Sequence, residues 1–289
     1  MKAKIFNQKL ISSLKNRKDI LIQKFPLQYK KGKFELAKIA SKKISKKNKI
    51  IMIVAGIHGD EKAGPLTILE YGNRIINYAH KRGIKIIIYP LINPSGFEKN
   101  TRYNIDSNAW GCGCGDFIRY ELKNGKIVDD LAGKRVFKNW YWSSDKKLKI
   151  KLAEETRLMH ELLRKEPLKQ IKAAIDIHQD YLSSQKKYFA YQYSFENKKV
   201  FEKIVPKVSE IVPILKNGKI WAGHASGIAL KSDENGFIVR HDGTITDLLY
   251  RLGTKYSIAI ETIGSTPLDK AMSVNLTWIL NIIDLVKTK

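Results

Sequence analysis

Four short runs of the chain, residues 50–55, 84–92, 173–177 and 257–261, are dominated by apolar and mostly β-branched side chains. A strand without polar alternation is buried on both faces, which is the habit of parallel strands covered by helices on either side. Residues 34–40 and 188–193 read as two further strands, the first alternating in character. Helical spacing of apolar residues falls between them, at 66–79, 152–163, 200–212 and 270–286, with Glu154, Glu155 and Glu161 placed on the outer face of the second. Strands alternating with helices predict a mostly parallel sheet in an α/β fold. Such sheets bind ligands beyond the carboxyl ends of their strands, so the strand ends are where chemistry is to be sought. The stretch 94–144 shows little periodicity and is expected to be a functional loop region.

No repeat, Pro-rich linker or low-complexity tract divides the 289 residues, so we expect one domain over 1–289 with its core at about 34–287. Apolar residues make up 43% of the chain, enough for a substantial core at this length. The net charge is +25. Two readings exist for it: an electrostatic footprint for nucleic acid, or lysines spread over solvated faces. The lysine-rich stretches 42–49 and 146–151 lack interleaved aromatics that could stack on bases, which favours the second. No nucleic-acid partner is therefore expected, although the field should draw acidic molecules toward the protein. Cys112 and Cys114 are too close in sequence for a comfortable disulfide, and two thiols alone cannot close a tetrahedral zinc site. Neither a signal-peptide run nor a membrane-length apolar segment is present in the sequence, and a cytoplasmic location with no membrane partner is the expectation.

Several of the apolar runs deliver residues able to do chemistry. The first passes through Gly56 into Ile57-His58-Gly59-Asp60-Glu61, an imidazole and a carboxylate that one turn can aim at a single ion. Asp60 beside them is read as a helix cap or a hydrogen-bond partner. The third run ends in Asp176-Ile177-His178. Two His and one Glu leave a position open on zinc, the arrangement of a catalytic site rather than a structural one. The fourth run ends in Glu261, a carboxylate that is costly on an apolar strand unless paired or functional. At the same sheet edge it can take a proton from metal-bound water and pass it to a leaving amine.

The order His58-x-x-Glu61, then Asn93-Pro94-Ser95-Gly96 followed by Arg102, then Asp106-Ser107-Asn108, then His178, then Glu261 resembles the zinc carboxypeptidase superfamily, over about residues 50–264. The resemblance implies a three-layer α/β/α sandwich around a mixed, mostly parallel sheet, with one zinc per chain. It also implies roles residue by residue. His58, Glu61 and His178 would be the zinc ligands and Glu261 the general acid/base. Arg102 would polarise the scissile carbonyl and stabilise the oxyanion, unless it is a surface ion pair. Asn108 would bind substrate. Two positions depart from the pattern. Ala109 stands where the superfamily keeps an Arg that docks the substrate's terminal carboxylate, and Ala cannot supply that bidentate grip. Near Gly243-Thr244 no Tyr occurs; His241 could donate the equivalent hydrogen bond to substrate, or be an ordinary loop histidine. The glycines around Cys112 and Cys114 could let backbone approach a ligand, or simply form a flexible loop.

Three functions follow. The first is a zinc-dependent hydrolase cleaving an amide or peptide bond in a small peptide-like substrate. The second is a deacylase of N-acyl amino acids, because His58-Gly59-Asp60-Glu61-Lys62-Ala63-Gly64-Pro65 is similar to the opening motif of the succinylglutamate desuccinylase and aspartoacylase branch. Asn93-Pro94-Ser95-Gly96 leans toward the peptidase side. The third, a non-catalytic binding protein on the same fold, is disfavoured because all three ligands and Glu261 are present.

Overall fold

A computed structural model describes residues 1–30, 32–105, 118–128, 136–142, 153–181, 187–221, 229–241 and 243–287. Helix α1 (Ala3–Leu14) leads into a hairpin of β1 (Ile20–Tyr29) and β2 (Gly32–Ser41), followed by β3 (Ile50–Ala55), α2 (Ala63–His80), β4 (Lys85–Tyr89) and α3 (Pro94–Lys99). Next come β5 (Ile118–Glu121), β6 (Ile127–Val128), β7 (Asn139–Trp142), α4 (Glu154–Lys165), β8 (Ile171–Asp180) and β9 (Ala190–Ser194). The chain closes with α5 (Val205–Ser209), β10 (Lys219–Trp221), β11 (Ala229–Lys231), β12 (Phe237–Val239), α6 (Ile245–Arg251), β13 (Tyr256–Ile263) and α7 (Leu268–Lys287).

Eight strands form the main sheet in the order β1-β2-β4-β3-β8-β13-β9-β12. Its centre, β4-β3-β8-β13, is parallel throughout, whereas β1, β2 and the β13–β9 pair run antiparallel. The sheet is therefore mixed and largely parallel, as expected. Alternation along β3 shows why helices cover both faces. Ile51, Ile53 and Ala55 pack with α1, α2 and α7, while Ile50, Met52 and Val54 pack with α4 and α6. Every residue of β3 is buried, so neither face of that strand tolerates a polar side chain.

Several elements differ from expectation. The pattern assigns no element before residue 34, yet α1 and β1 are there; β1 carries Pro26, which an edge strand pairing only with β2 tolerates. The helix expected over 200–212 shortens to α5, because Pro206 has no N–H and its ring blocks helix on its N-terminal side. Glu155 is not on the outer face of α4. It is 1% exposed, burial pushes its carboxyl up to about 8, and its Oε1 accepts the Ser95 N–H at 3.3 Å. The stretch 94–144 is only partly loop, since it includes α3 and a small sheet in the order β6-β5-β7. Arg164 fastens that sheet to α4, donating to the Trp140 carbonyl and stacking over its ring at 4.3 Å. Asn108, Ala109, Cys112 and Cys114 lie outside the described residues.

Candidate metal centre

The carboxyl ends of β4, β3, β8 and β13 lie side by side, and each passes a functional group to the same place. At the end of β3, Gly56 turns the chain with φ +65°, a conformation that favours glycine. Leu91 and Pro65 would crowd a Cβ there, at 2.8 and 2.9 Å. The loop that follows carries His58 and Glu61. Gly59 within it sits directly on the start of α3: a Cβ at Gly59 would fall 2.1 Å from the Gly96 carbonyl carbon. The two glycine-bearing motifs of the sequence are thus one backbone-to-backbone contact. Asn93 completes it, accepting the Gly96 N–H at 2.8 Å and donating to the Arg102 carbonyl at 3.1 Å, while Gly59 N–H donates to that same carbonyl at 3.1 Å. Lys62 adds a donor to the carbonyl of Gly59 at 2.8 Å, and burial pushes its ammonium down to about 8. The sequence did not single out Lys62 as a tie, nor Asn104, which donates to Asn93 at 2.9 Å. Asp60 does not cap α2, whose N-cap residue is Lys62.

On β8, His178 is buried, and the register pairs it with Glu261 on β13. Neighbours at one register level put their side chains on one face of the pleat, so the two groups share a side of the sheet. His58 Nδ1 lies 2.7 Å from Glu61 Oε1 and 3.2 Å from His178 Nδ1, which itself lies 2.9 Å from Glu61 Oε2. One ligand atom from each of the three residues falls within 4.8 Å of the others, a geometry that could hold a metal ion, and the group is buried. Among the described residues no other such group of His, Cys, Asp and Glu occurs. Two imidazole nitrogens facing each other have no way to share hydrogens with all their neighbours. A cation between them resolves that conflict, and two nitrogens with one carboxylate suit zinc.

Glu61 is the hub. Its Oε1 also accepts Arg102 Nη1 at 2.9 Å, and its Oε2 accepts the Gln179 N–H at 3.0 Å. Burial pushes its carboxyl up, but the charges and hydrogen bonds of His58 and His178 outweigh it and hold the group well below the usual range. His178 turns its other nitrogen, Nε2, toward Asp176 Oδ1 at 3.3 Å. Asp176 is wholly buried. A carboxylate behind a ligating imidazole fixes its tautomer and orientation. The signal for Asp176 was available in the sequence, since positions two apart on a strand share a face. Burial opposes charge on His178, yet Asp176 and Glu61 raise its affinity for a proton well above the ordinary range. Glu261 shows the opposite trend. Burial pushes its carboxyl well above the usual range, Glu61 and Asp180 add to the shift, and His178 and Arg102 oppose it. Its Oε2 is buried and has no hydrogen-bond partner among the described residues, so it is left able to accept or give a proton. Asp180 near it accepts the Tyr191 hydroxyl at 2.8 Å.

His241 is engaged elsewhere. Its Nδ1 faces Asp247 Oδ1 at 2.8 Å and its Nε2 faces Glu196 Oε1 at 3.1 Å, so both nitrogens meet the protein's own carboxylates instead of standing open for a substrate. Thr244 caps α6, its Oγ1 accepting the Asp247 N–H at 3.1 Å.

Residues 47–205, more than half of the chain, match the model of the succinylglutamate desuccinylase/aspartoacylase catalytic domain. The chain belongs to this family. The matched span contains His58, Glu61, Asn93, Arg102 and His178 and stops short of His241 and Glu261. No curated protein matches the sequence. Among solved structures, a presumed metallopeptidase from Shewanella baltica OS155 is similar with a TM-score of 0.66 and 18% identity, over 99% of this chain and 96% of its own. A metallo-carboxypeptidase from Burkholderia cenocepacia is similar with a TM-score of 0.61 and 10% identity, over 98% of this chain and 68% of its own. Bovine thrombin-activatable fibrinolysis inhibitor, solved with a tick carboxypeptidase inhibitor, gives a TM-score of 0.57 and 17% identity, over 98% of this chain and 95% of its own. At these identities the likeness is one of fold, and the fold is that of the carboxypeptidase-like hydrolases. No helix among the described residues is long and apolar enough to cross a membrane.

Proposed function

We propose that this protein is a zinc-dependent hydrolase that cleaves an amide bond in a small peptide-like substrate, with Glu261 as general acid/base. The observation that carries the reading is the convergence of His58 Nδ1, Glu61 and His178 Nδ1 beside a buried, unpartnered Glu261 carboxylate oxygen. His58, Glu61 and His178 would hold the zinc, which when bound supplies Lewis-acid activation of water and of the scissile carbonyl. Asp176 lies 3.3 Å from His178 Nε2, and Nδ1, turned toward His58 and Glu61, is the atom that would serve as ligand. Glu261 Oε2 receives the proton of the attacking water and returns it to the leaving amine. Burial raises the proton affinity of Glu261 well above that of an ordinary carboxylate, which favours its holding the proton between the two transfers. Arg102, now on Glu61, is within reach of the same cluster and supplies N–H donors to the developing oxyanion.

One specific observation favours a second reading, a deacylase of N-acyl amino acids: the family match is to desuccinylase and aspartoacylase catalytic domains. Both place a carboxylate on the amine side of the scissile amide, and they differ on the acyl side, a peptide in one and a simple acyl group in the other. Ala109, in place of a carboxylate-docking Arg, weakens the case for a free C-terminus in either.

Metal analysis of protein purified without added metal should find one zinc per chain, and His178→Ala should lose it while staying folded. Full zinc occupancy in that variant would sink the ligand assignment. Turnover of dipeptides against N-acyl amino acids, with and without a chelator, separates the two readings. A stable protein that binds no metal and hydrolyses neither class would leave only the binding-protein alternative.

A further inference from the structure

Lys62 follows Glu61 directly and is the N-cap residue of α2. Nothing about that helix explains it. Caps are ordinarily Ser, Thr, Asp or Asn, whose side chains accept a backbone N–H, and an ammonium can accept nothing. The Lys62 side chain makes no capping bond, and a positive charge at a helix N-terminus works against the helix dipole. No acidic residue occupies the first turn of α2 to offset it. The side chain is also half-buried, which a lysine avoids unless its ammonium has partners.

The partners lie on the other side of the loop. Lys62 Nζ donates to the Gly59 carbonyl at 2.8 Å and to the Phe97 carbonyl, and it sits 3.9 Å from the centre of the Phe97 ring. Phe97 belongs to α3 and is 3% exposed. One cation therefore grips a carbonyl of the loop together with a carbonyl and an aromatic face of α3.

Gly59 is the point where that grip matters. It separates His58 from Asp60 and Glu61, and both of its backbone groups are held from outside the loop: its N–H by the Arg102 carbonyl at 3.1 Å, its C=O by Lys62. It has no side chain to brace it, because a Cβ would fall 2.1 Å from the Gly96 carbonyl carbon and 2.4 Å from the Phe97 nitrogen. The loop's own bond, Glu61 N–H to the His58 carbonyl, is long at 3.4 Å. The separation of His58 and Glu61 is thus fixed mainly by what grips Gly59. We infer that Lys62 is a positioning residue of the metal centre, its ammonium stapling the His58–Glu61 loop to α3 and so setting the spacing of two ligands. The effect on metal rests on the ligand assignment above; the effect on the loop does not.

The test compares the wild type with Lys62→Met, which keeps an unbranched stem against Phe97 and loses the donors. In the metal-free full chain, hydrogen exchange at the Gly59 amide should rise roughly ten- to a hundredfold, the worth of a charge-assisted hydrogen bond. The Ile53 amide, in a strand paired on both sides, serves as the control and should not change. Zinc affinity, measured by competition with a chelator, should fall about tenfold, the lower end of what groups behind metal ligands contribute. Cobalt(II) loaded in place of zinc reports ligand geometry in its visible absorption, and that spectrum should change in the Met variant. Lys62→Arg keeps a charged donor and should recover much of both effects, and it carries the test if the Met variant folds poorly. Gly59 exchange that ignores the loss of the ammonium overturns the inference. So does a rise at Gly59 and Ile53 alike with affinity and cobalt spectrum unchanged, the mark of a merely structural lysine. A wild type that binds neither metal fails the ligand assignment and takes the positioning role with it. A wild type that binds both, matched by its Met variant, fails the inference alone.

Discussion

His178 and His241 are both buried histidines held between two carboxylates, and the surroundings of each put the arrangement to a different use. At His241 each ring nitrogen has one acceptor, Asp247 or Glu196, and the cluster is complete when the imidazole carries its proton. At His178 the carboxylates Asp176 and Glu61 are again present, but Nδ1 also faces Nδ1 of His58 at 3.2 Å. Like groups brought face to face, with Arg102 and Gln179 already donating to the carboxylate between them, make a site that a proton satisfies only in part. Burial and a charged partner are common to both clusters and so do not mark function. Convergence of ligand atoms on one point does, and it separates an ion site from a structural ion pair.

The widest gap between the two regions should appear at Glu261. Glu261→Gln keeps the shape, leaves the ligand set whole and removes the proton acceptor. Turnover should fall by ~10²–10⁴, the usual contribution of a general acid/base, while bound zinc stays at one per chain. Turnover at the wild-type level on a hydrolysed substrate would remove Glu261 from the chemistry. No residue of the His241 cluster should produce that combination.

Asp176 sharpens the contrast, because it does for His178 what Asp247 does for His241. If the first cluster exists for an ion, Asp176→Asn should lower zinc affinity by about 10–100-fold, the typical cost of losing a carboxylate behind a ligating histidine. Competition against a chelator of known affinity measures it. Unchanged affinity would mean the imidazole is oriented by Glu61 alone and that the comparison with Asp247 fails.

What the sequence made legible follows the same division. Strand β3 was readable to its ends because a fully buried parallel strand leaves an unbroken apolar run. His58, Glu61, His178 and Glu261 were readable because each follows or interrupts such a run. The His241 cluster was not, since Tyr120, Glu196 and the His241–Asp247 pair come from three separated stretches whose local pattern is ordinary. Glu155 was misplaced for a related reason: helical spacing says which positions share a face, not that a charged one is excluded from the core. The Ser95 N–H that receives its carboxylate is 60 positions away in the chain. Lys62 and Asn104 act through backbone carbonyls and another amide, partners that carry no residue-type signal. The α1–β1 segment was missed because β1 is an edge strand with a mixed burial pattern, which weakens the alternation that identifies strands.

The smallest effect belongs to Tyr120→Phe, which tests whether the His241 region is structural and nothing more. The hydroxyl is fully buried and donates to Asp247 at 2.8 Å, but Arg251, Gly243 and His241 remain on the same carboxylate. With three of four donors kept, the loss should stay near that of an ordinary hydrogen bond, about 1 kcal/mol of stability. For a chain of this size that corresponds to a fall in melting temperature of about 2–4 °C. Zinc content should not change, because neither Asp247 nor any of its four donors belongs to the His58, Glu61 and His178 group. Thermal unfolding and metal analysis on one preparation decide the matter together. A variant that loses zinc at an almost unchanged melting temperature would show that the two clusters are one system, with the β5 contact needed to build the metal centre. A large drop in stability with zinc retained would instead show that Asp247 depends on Tyr120 far more than its other three donors indicate.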